Sequence, residues 1–357
     1  MSKALLDWYD VVKRALPWRE DTVTYKVWIS EIMLQQTQVV TVVDYFNRFI
    51  TKYPDVLALS KAEESDVFKL WEGLGYYSRA KNLIRCARIV VDDYNGEFPS
   101  TAEGLQKLPG IGPYTAGAIA SIAFNERVPA IDGNVLRVIS RLYLIDLPIN
   151  QPKHMHVFKT YTMDLMTVRP GDFNQALMEL GATVCTPRKA NCNACPLSDL
   201  CLAYKNNVID KFPNKPPKPL KREVDLGICI LFNGDSLLIT KNSNNGLLAN
   251  LWGFPSVECD NQSTGTIQIA RWLEENYGIN GKYMYKHLGK THIFTHLKWK
   301  PILYFFYVND KISIEFPICE WTTLERLNEK ALPTAFIKQV DSIKAGFEAI
   351  KNMKSEG

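Results

Sequence analysis

Four cysteines within seventeen residues, Cys185, Cys192, Cys195 and Cys201, stand in the order C-x6-C-x2-C-x5-C. Thiolates so closely spaced are metal ligands far more readily than scattered thiols are. Nothing in the chain suggests an oxidising compartment, so disulfides are not expected. Zinc ribbons usually use two separated CxxC knuckles. This run has one CxxC with a single cysteine on either side, which suits one [4Fe–4S] cluster better than zinc. Cys86, Cys229, Cys259 and Cys319 lie on separate segments and read as small buried hydrophobes. Arg188 and Lys189 fall inside the first ligand loop. They are either plain surface charge or, on a loop stiffened by metal, contacts to phosphate.

Two carboxylates offer a second kind of chemistry. Glu31 opens Glu-Ile-Met-Leu-Gln-Gln-Thr-Gln38, one step off an apolar stripe through Ile29 and Ile32. A carboxyl group against apolar surface keeps its proton to higher pH, whereas a solvated helix position leaves it an ordinary anion. Asp132, in Ile131-Asp-Gly-Asn-Val135, precedes a helical pattern and takes an N-cap position. There the helix amides and dipole favour its ionised form. A plain cap is the simpler reading. One protonated and one ionised carboxyl group together suit glycosidic cleavage: the acid protonates the leaving group and the anion stabilises the oxocarbenium-like sugar.

Between two helical patterns lies Leu108-Pro-Gly-Ile-Gly-Pro-Tyr-Thr115. Gly110 and Gly112 permit positive φ and close backbone approach, and the next helix offers free amides to an anion. A helix-hairpin-helix of this form grips a DNA phosphate without reading sequence.

The elements that must carry these groups divide at a proline-rich stretch. Residues 211–224 contain prolines 213, 216, 217 and 219, which disfavour helix and central strand and predict an extended linker. Before it, helical periodicity covers 26–50, 78–94, 114–124, 134–145, 154–168 and 173–184, with no clear strand. After it, Gly227–Phe232, Ser236–Thr240 and Pro301–Val308 read as strands, with a helix at Ile267–Tyr277. The expected fold is multidomain: an all-α domain over 1–210, the linker, and an α+β domain over 225–357.

Composition bounds the function. At 357 residues, 46% hydrophobic and 22% charged, the chain has globular composition and room for two domains. No apolar run reaches the roughly 18 residues that span a bilayer. Asp7 and Asp10 break the apolar character of the first residues, so no signal peptide is expected. A cytoplasmic, bacterial, nucleoid-associated protein is the resulting expectation. The net charge of +4 is small, but 1–210 and 225–357 are each balanced, so the whole excess sits in 211–224. That segment is either a solvated linker or a basic strap lying along a polyanion.

Taken together, these motifs resemble the adenine DNA glycosylases of the MutY type, within the helix-hairpin-helix superfamily that includes endonuclease III. The resemblance rests on Leu16-Pro-Trp-Arg19, Trp28-Ile-Ser-Glu-Ile-Met-Leu-Gln-Gln-Thr37 and Glu72-Gly-Leu-Gly-Tyr-Tyr-Ser-Arg79. The hairpin, Ile131-Asp-Gly-Asn134 and the four cysteines complete it. It implies base-excision repair by a monomer acting on double-stranded DNA, in which adenine mispaired with 8-oxoguanine or guanine is flipped out and hydrolysed off.

For the residues, the resemblance implies that Glu31 protonates adenine and Asp132 stabilises or bonds the sugar C1′. Tyr114 and Asn134 support that intermediate, and Trp18 and Gln175 contact the flipped base. Leu34, Gln36 and Tyr76 wedge into the duplex, which repays part of the cost of extruding a base. Bifunctional relatives carry a lysine where this chain has Tyr114, so negligible lyase activity is expected.

The second domain resembles a Nudix-like fold around Gly246-Leu-Leu-Ala-Asn-Leu-Trp-Gly-Phe-Pro255. Aligned on Arg271, Leu273, Glu275, Gly278 and Ile279, the hydrolase box has Trp272 and Asn276 in place of glutamates, with Val257 and Ser263 upstream. Nucleotide hydrolysis is therefore not expected. The resemblance instead assigns 8-oxoguanine recognition to Phe294, Thr295 and His296, with threonine replacing the family's serine. His292, Phe294 and Trp299 read equally well as core aromatics. A glycosylase for another mismatch and a non-catalytic lesion binder are the competing functions.

Overall fold

The structure is a computed structural model that describes residues 1–217, 220–243, 246–259, 265–309 and 318–355. It forms two compact units, Met1–Leu70 with Ser78–Lys218, and Trp71–Tyr77 with Pro219–Gly357. Lys218 and Ser263, singled out in the sequence, lie outside the described residues.

The first unit is helical throughout. Helix Thr24–Leu34 is buried on nearly all sides, from Tyr25 through Met33 apart from the intermediate Lys26. The expected continuous helix over 26–50 is interrupted: a second helix starts at Val39. Gln36 in the break adopts φ +59°, a left-handed backbone that a helix interior excludes. Arg79, on helix Ser78–Tyr94, stabilises the break by donating from Nη1 to the carbonyls of Ile32, Met33 and Gln35 at 2.6–3.0 Å. Helices Gly133–Tyr143 and Pro170–Thr183 and the N-terminal helix Ser2–Val12 bury a shared core that includes Leu5, Tyr9, Val135, Ile139, Phe173 and Leu177. Gly181 sits where a Cβ would lie 2.5 Å from Asn134 Cβ, so the helix backbone packs directly on the Asp132-Gly-Asn134 turn.

Residues 212–214 belong to the first unit rather than to a free linker. Ile149 N donates to Asn214 O at 3.1 Å, and Arg141 donates to Phe212 O at 3.0 Å. The first strand already begins at Arg222.

In the second unit the sheet path runs Trp252–Gly253, Ser236–Lys241, Arg222–Asn233, Leu297–Tyr307, Lys282–Leu288. Strands 222–233 and 297–307 are parallel, in register from Arg222↔Leu297 to Phe232↔Tyr307. Because side chains alternate, Ile228 and Ile230 face one core with Phe305 and Ile343, while Cys229 and Leu231 face another with Ile269 and Leu273. Helix Thr266–Tyr277 covers the second face, and Val340–Ser355, which the sequence reading did not mark as a helix, covers the first. Cys86 and Cys229 are buried as expected, but Cys259 and Cys319 are only partly so. No helix among the described residues is long and apolar enough to cross a membrane.

Candidate active site

A pocket of about 190 Å³ in the first unit gathers Trp18, Glu31, Leu34, Tyr114, Asp132, Asn134 and Gln175 on one wall system. They arrive on several separate elements. Helix 24–34 brings Glu31 and Leu34, helix Pro113–Phe124 brings Tyr114, and the start of helix 133–143 brings Asp132 as its N-cap and Asn134 in its first turn. Gln175 comes from helix 170–183. Trp18 stands on a short 3-10 turn, edge-on to Phe46 at 5.4 Å.

Glu31 is not the solvated helix residue its position off the stripe allowed. The helix is buried around most of its circumference, so Glu31 is buried too. Burial raises its carboxyl to about 7; Asp132 adds to the rise, while a hydrogen bond from Tyr114 and the charge of Arg19 oppose it. Tyr114 Oη donates to Glu31 Oε2 at 2.7 Å and also lies 3.2 Å from Met178 Sδ. Burial and the two nearby carboxylates hold the Tyr114 phenol well above its usual range, so it is a neutral donor.

Asp132 is an N-cap as expected: Oδ1 accepts from Asn134 N at 2.9 Å and Val135 N at 2.8 Å. Oδ2 accepts from Asn134 Nδ2 at 2.7 Å. The expectation that capping would dominate its ionisation needs correction. Burial outweighs the three hydrogen bonds and raises the carboxyl above its ordinary value. Both carboxyl groups are therefore strained towards the neutral form, Glu31 with one donor and Asp132 with three.

The pocket is also lined by a charged cluster that the sequence reading passed over. Arg14 and Arg19 both donate to Glu179, from Arg14 Nη2 at 3.0 Å and Arg19 Nη2 at 2.9 Å. Burial alone would raise Glu179, but the two guanidinium groups hold it low and ionised. Arg19 Nε also donates to Gln175 Oε1 at 3.1 Å, which leaves the Gln175 amide N–H groups for the pocket. The i,i+4 spacing of Gln175 and Glu179 was the available signal, since it puts both on one helix face.

Arg137, also unmarked, ties the turn to the cysteine loop. Its Nη2 donates to Asn134 Oδ1 and Gly181 O, both at 2.8 Å, and its Nε donates to Cys185 O at 2.7 Å. Arg141 Nη1 donates to Cys185 Sγ at 3.3 Å and Thr186 O at 2.8 Å. All four cysteines of the run are free. Burial, and then the neighbouring thiols Cys185, Cys201 and Cys192, push Cys195 to about 11 against a backbone hydrogen bond from Leu197. Backbone hydrogen bonds from Tyr204 and Ala203 reach Cys201. Among the described residues no group of three or more such side chains converges to hold a single metal ion. Four thiols with amide and guanidinium donors to sulfur suit a soft, anionic thiolate-bound group.

The remaining candidates lie outside the pocket. Gly110 adopts φ +79° in the hairpin, whereas Gly112 is the extended N-cap of helix 113–124 and does not use its left-handed freedom. Arg188 and Lys189 are exposed, as is Gln36. Phe294, Thr295 and His296 form the turn between His292–Ile293 and Leu297–Tyr307 in the second unit. Segment 71–77 groups with that unit, where Tyr76 Oη and Thr295 Oγ1 share a hydrogen bond of 2.6 Å. Lys221, from the expected basic strap, donates to Phe294 O at 2.6 Å.

Comparison with known proteins gives this geometry its context. A rat adenine DNA glycosylase (Rattus norvegicus) is 37% identical over 393 residues, covering 94% of this chain and 76% of the relative. The chain belongs to the adenine DNA glycosylases. A second glycosylase of that name, from Buchnera aphidicola subsp. Baizongia pistaciae (strain Bp), is 35% identical with 96% of each chain covered. Residues 29–160 match the model of the HhH-GPD superfamily base excision DNA repair proteins, and 227–342 match that of the NUDIX domain. The solved structure of a thermostable thymine-DNA glycosylase superposes with a TM-score of 0.52 at 30% identity, covering 57% of this chain and 95% of that one. The adenine DNA glycosylase described here is thus a base-excision-repair enzyme built from a helix-hairpin-helix domain and a C-terminal Nudix-like domain.

Proposed function

We propose that the enzyme removes adenine mispaired with 8-oxoguanine, or with guanine, from double-stranded DNA, as a monomer and without cutting the strand. The observation that carries this reading is the hydrogen bond from Tyr114 Oη to Glu31 Oε2 in a pocket that also holds Asp132. With its carboxyl raised to about 7, Glu31 retains a proton near neutral pH and delivers it to adenine N7, making the base a neutral leaving group. Asp132 carries the opposite charge to the sugar as C1′ becomes cationic, and its three donors keep it aligned. Gln175, with its carbonyl taken by Arg19, presents N–H groups to the ring nitrogens of the base. Trp18 supplies an apolar wall for its face.

Leu34, Gln36 and Tyr76 would occupy the gap left by the extruded base. Gln36 and Tyr76 both have a left-handed backbone and are exposed. The hairpin at Gly110 and Gly112, with Arg188 and Lys189, would meet phosphates. Among the described pocket-lining residues there is no lysine, and Tyr114 stands where an amine nucleophile would be needed. Cys185, Cys192, Cys195 and Cys201 would hold a [4Fe–4S] cluster. When bound, such a cluster cross-links the 185–201 loop and fixes its basic residues. In the second unit, Phe294, Thr295 and His296 would read the lesion.

Adenine release from an 8-oxoguanine:adenine duplex, revealed as alkali-labile abasic sites, tests the reading. Release by the cluster-loaded protein, lost in Glu31→Gln, with strand breaks only after alkali, is expected. No release, or release undiminished in Glu31→Gln, would overturn it.

A further inference from the structure

Two buried ring nitrogens behind the 294–297 turn, His292 Nδ1 and Trp299 Nε1, have no hydrogen-bond partner among the described residues. Their residues are direct partners in the antiparallel pairing of strand 292–293 with strand 297–307. Directly opposed residues project to the same face with Cβ atoms about 5 Å apart. Phe294, two residues on from His292 and on the same face, packs edge-on against both rings, 4.5 Å from His292 and 4.7 Å from Trp299. Trp299 in turn meets Phe336 of the core at 6.2 Å. The intervening residues Ile293 and Thr295 face outward and are exposed.

An unmade hydrogen bond on a buried nitrogen is costly, and native proteins satisfy nearly all such groups. The two nitrogens are chemically complementary. Trp299 Nε1 is a donor only, and a neutral histidine offers an acceptor at one ring nitrogen. Burial and the charge of Lys338 keep His292 towards the neutral form. We propose that His292 and Trp299 are positioning residues for the Thr295-His296 turn, sharing one ordered water between their ring nitrogens and clamping Phe294 beside it. The clamp fixes the last inward side chain before the turn, so the outward Thr295 and His296 are presented in one geometry. This rests on the reading that the turn recognises 8-oxoguanine.

The test measures single-turnover adenine release from 8-oxoguanine:adenine and guanine:adenine duplexes for His292→Phe, Trp299→Phe and the double variant. Trp299→Phe keeps the ring packing, and an unchanged melting temperature marks each variant as folded. Each single variant should lower the preference for the lesion about tenfold, with the guanine:adenine rate unchanged. The double variant should lose no more than either single one, because both act through one bridge. His292→Asn, which still offers an acceptor, should keep more of the preference than His292→Phe. Thr295→Ala and His296→Ala provide the reference. If they lower the preference while the ring variants do not, the clamp is overturned and the turn's role stands. If no variant lowers it, both are overturned. Losses that add in the double variant overturn the shared bridge.

Discussion

Tyr114 Oη donates a 2.7 Å hydrogen bond to Glu31 Oε2 across 83 residues of sequence. The contact joins a phenol that stays neutral to a carboxyl that burial has raised to about 7. It stabilises the anionic form of Glu31, and so opposes the burial that keeps the acid protonated.

Activity should therefore fall on both sides of neutrality. Above about pH 7 Glu31 loses the proton it must deliver, and at acid pH Asp132, whose own carboxyl is raised, loses the charge it must present. Single-turnover rates from pH 4.5 to 9 should trace a bell with its alkaline limb near 7. A profile flat through pH 8 would remove Glu31 as the acid.

Tyr114→Phe should move that alkaline limb upward. The lost donor favoured the carboxylate, so without it Glu31 holds its proton to higher pH. The rate at the optimum should also drop, by about tenfold, because the acid is no longer held in place. A limb that shifts downward would contradict the assignment of donor and acceptor.

Glu31→Gln should trade activity for stability. The folded carboxyl has a raised pKa, so its favourable contribution is complete below the unfolded value of 4.5 and is lost as pH rises through about 7. A shift of this size corresponds to about 3 kcal/mol of destabilisation in the wild type at alkaline pH. Glutamine still accepts from Tyr114 without the buried charge. Urea melts should show the variant more stable than wild type at pH 8 and nearly equal to it at pH 4.5.

Arg137→Met should unsettle both the catalytic turn and the cysteine loop. It leaves Asn134 Oδ1 and the carbonyls of Gly181 and Cys185 without their donor, at a cost of about 3 kcal/mol. Iron content per chain should fall together with adenine release. Normal iron content with normal activity would show that the bridge is dispensable.

Much of this was legible one-dimensionally. The cysteine run, the hairpin and the Asp132 cap are local motifs, set by residues a few positions apart, and the residues 78–94 form the helix their periodicity predicts. The break at Gln36 was not legible, because the carbonyls it exposes are satisfied by Arg79, more than forty residues away. Nor was the charge balance of the Glu179 cluster, which comes from Arg14 and Arg19, 165 and 160 residues away in sequence.

By itself the sequence determined which groups are available: two carboxyl groups, a phenol in place of an amine, four thiols and an eroded hydrolase box. Tertiary structure decided their chemical state. Glu31 is an acid near neutrality because helix 24–34 is enclosed nearly all round. Asp132 is pulled away from the simple capped anion because its own burial in the folded unit removes its water. Desolvation depends on what packs around a group from every direction, and no local pattern of residues specifies that.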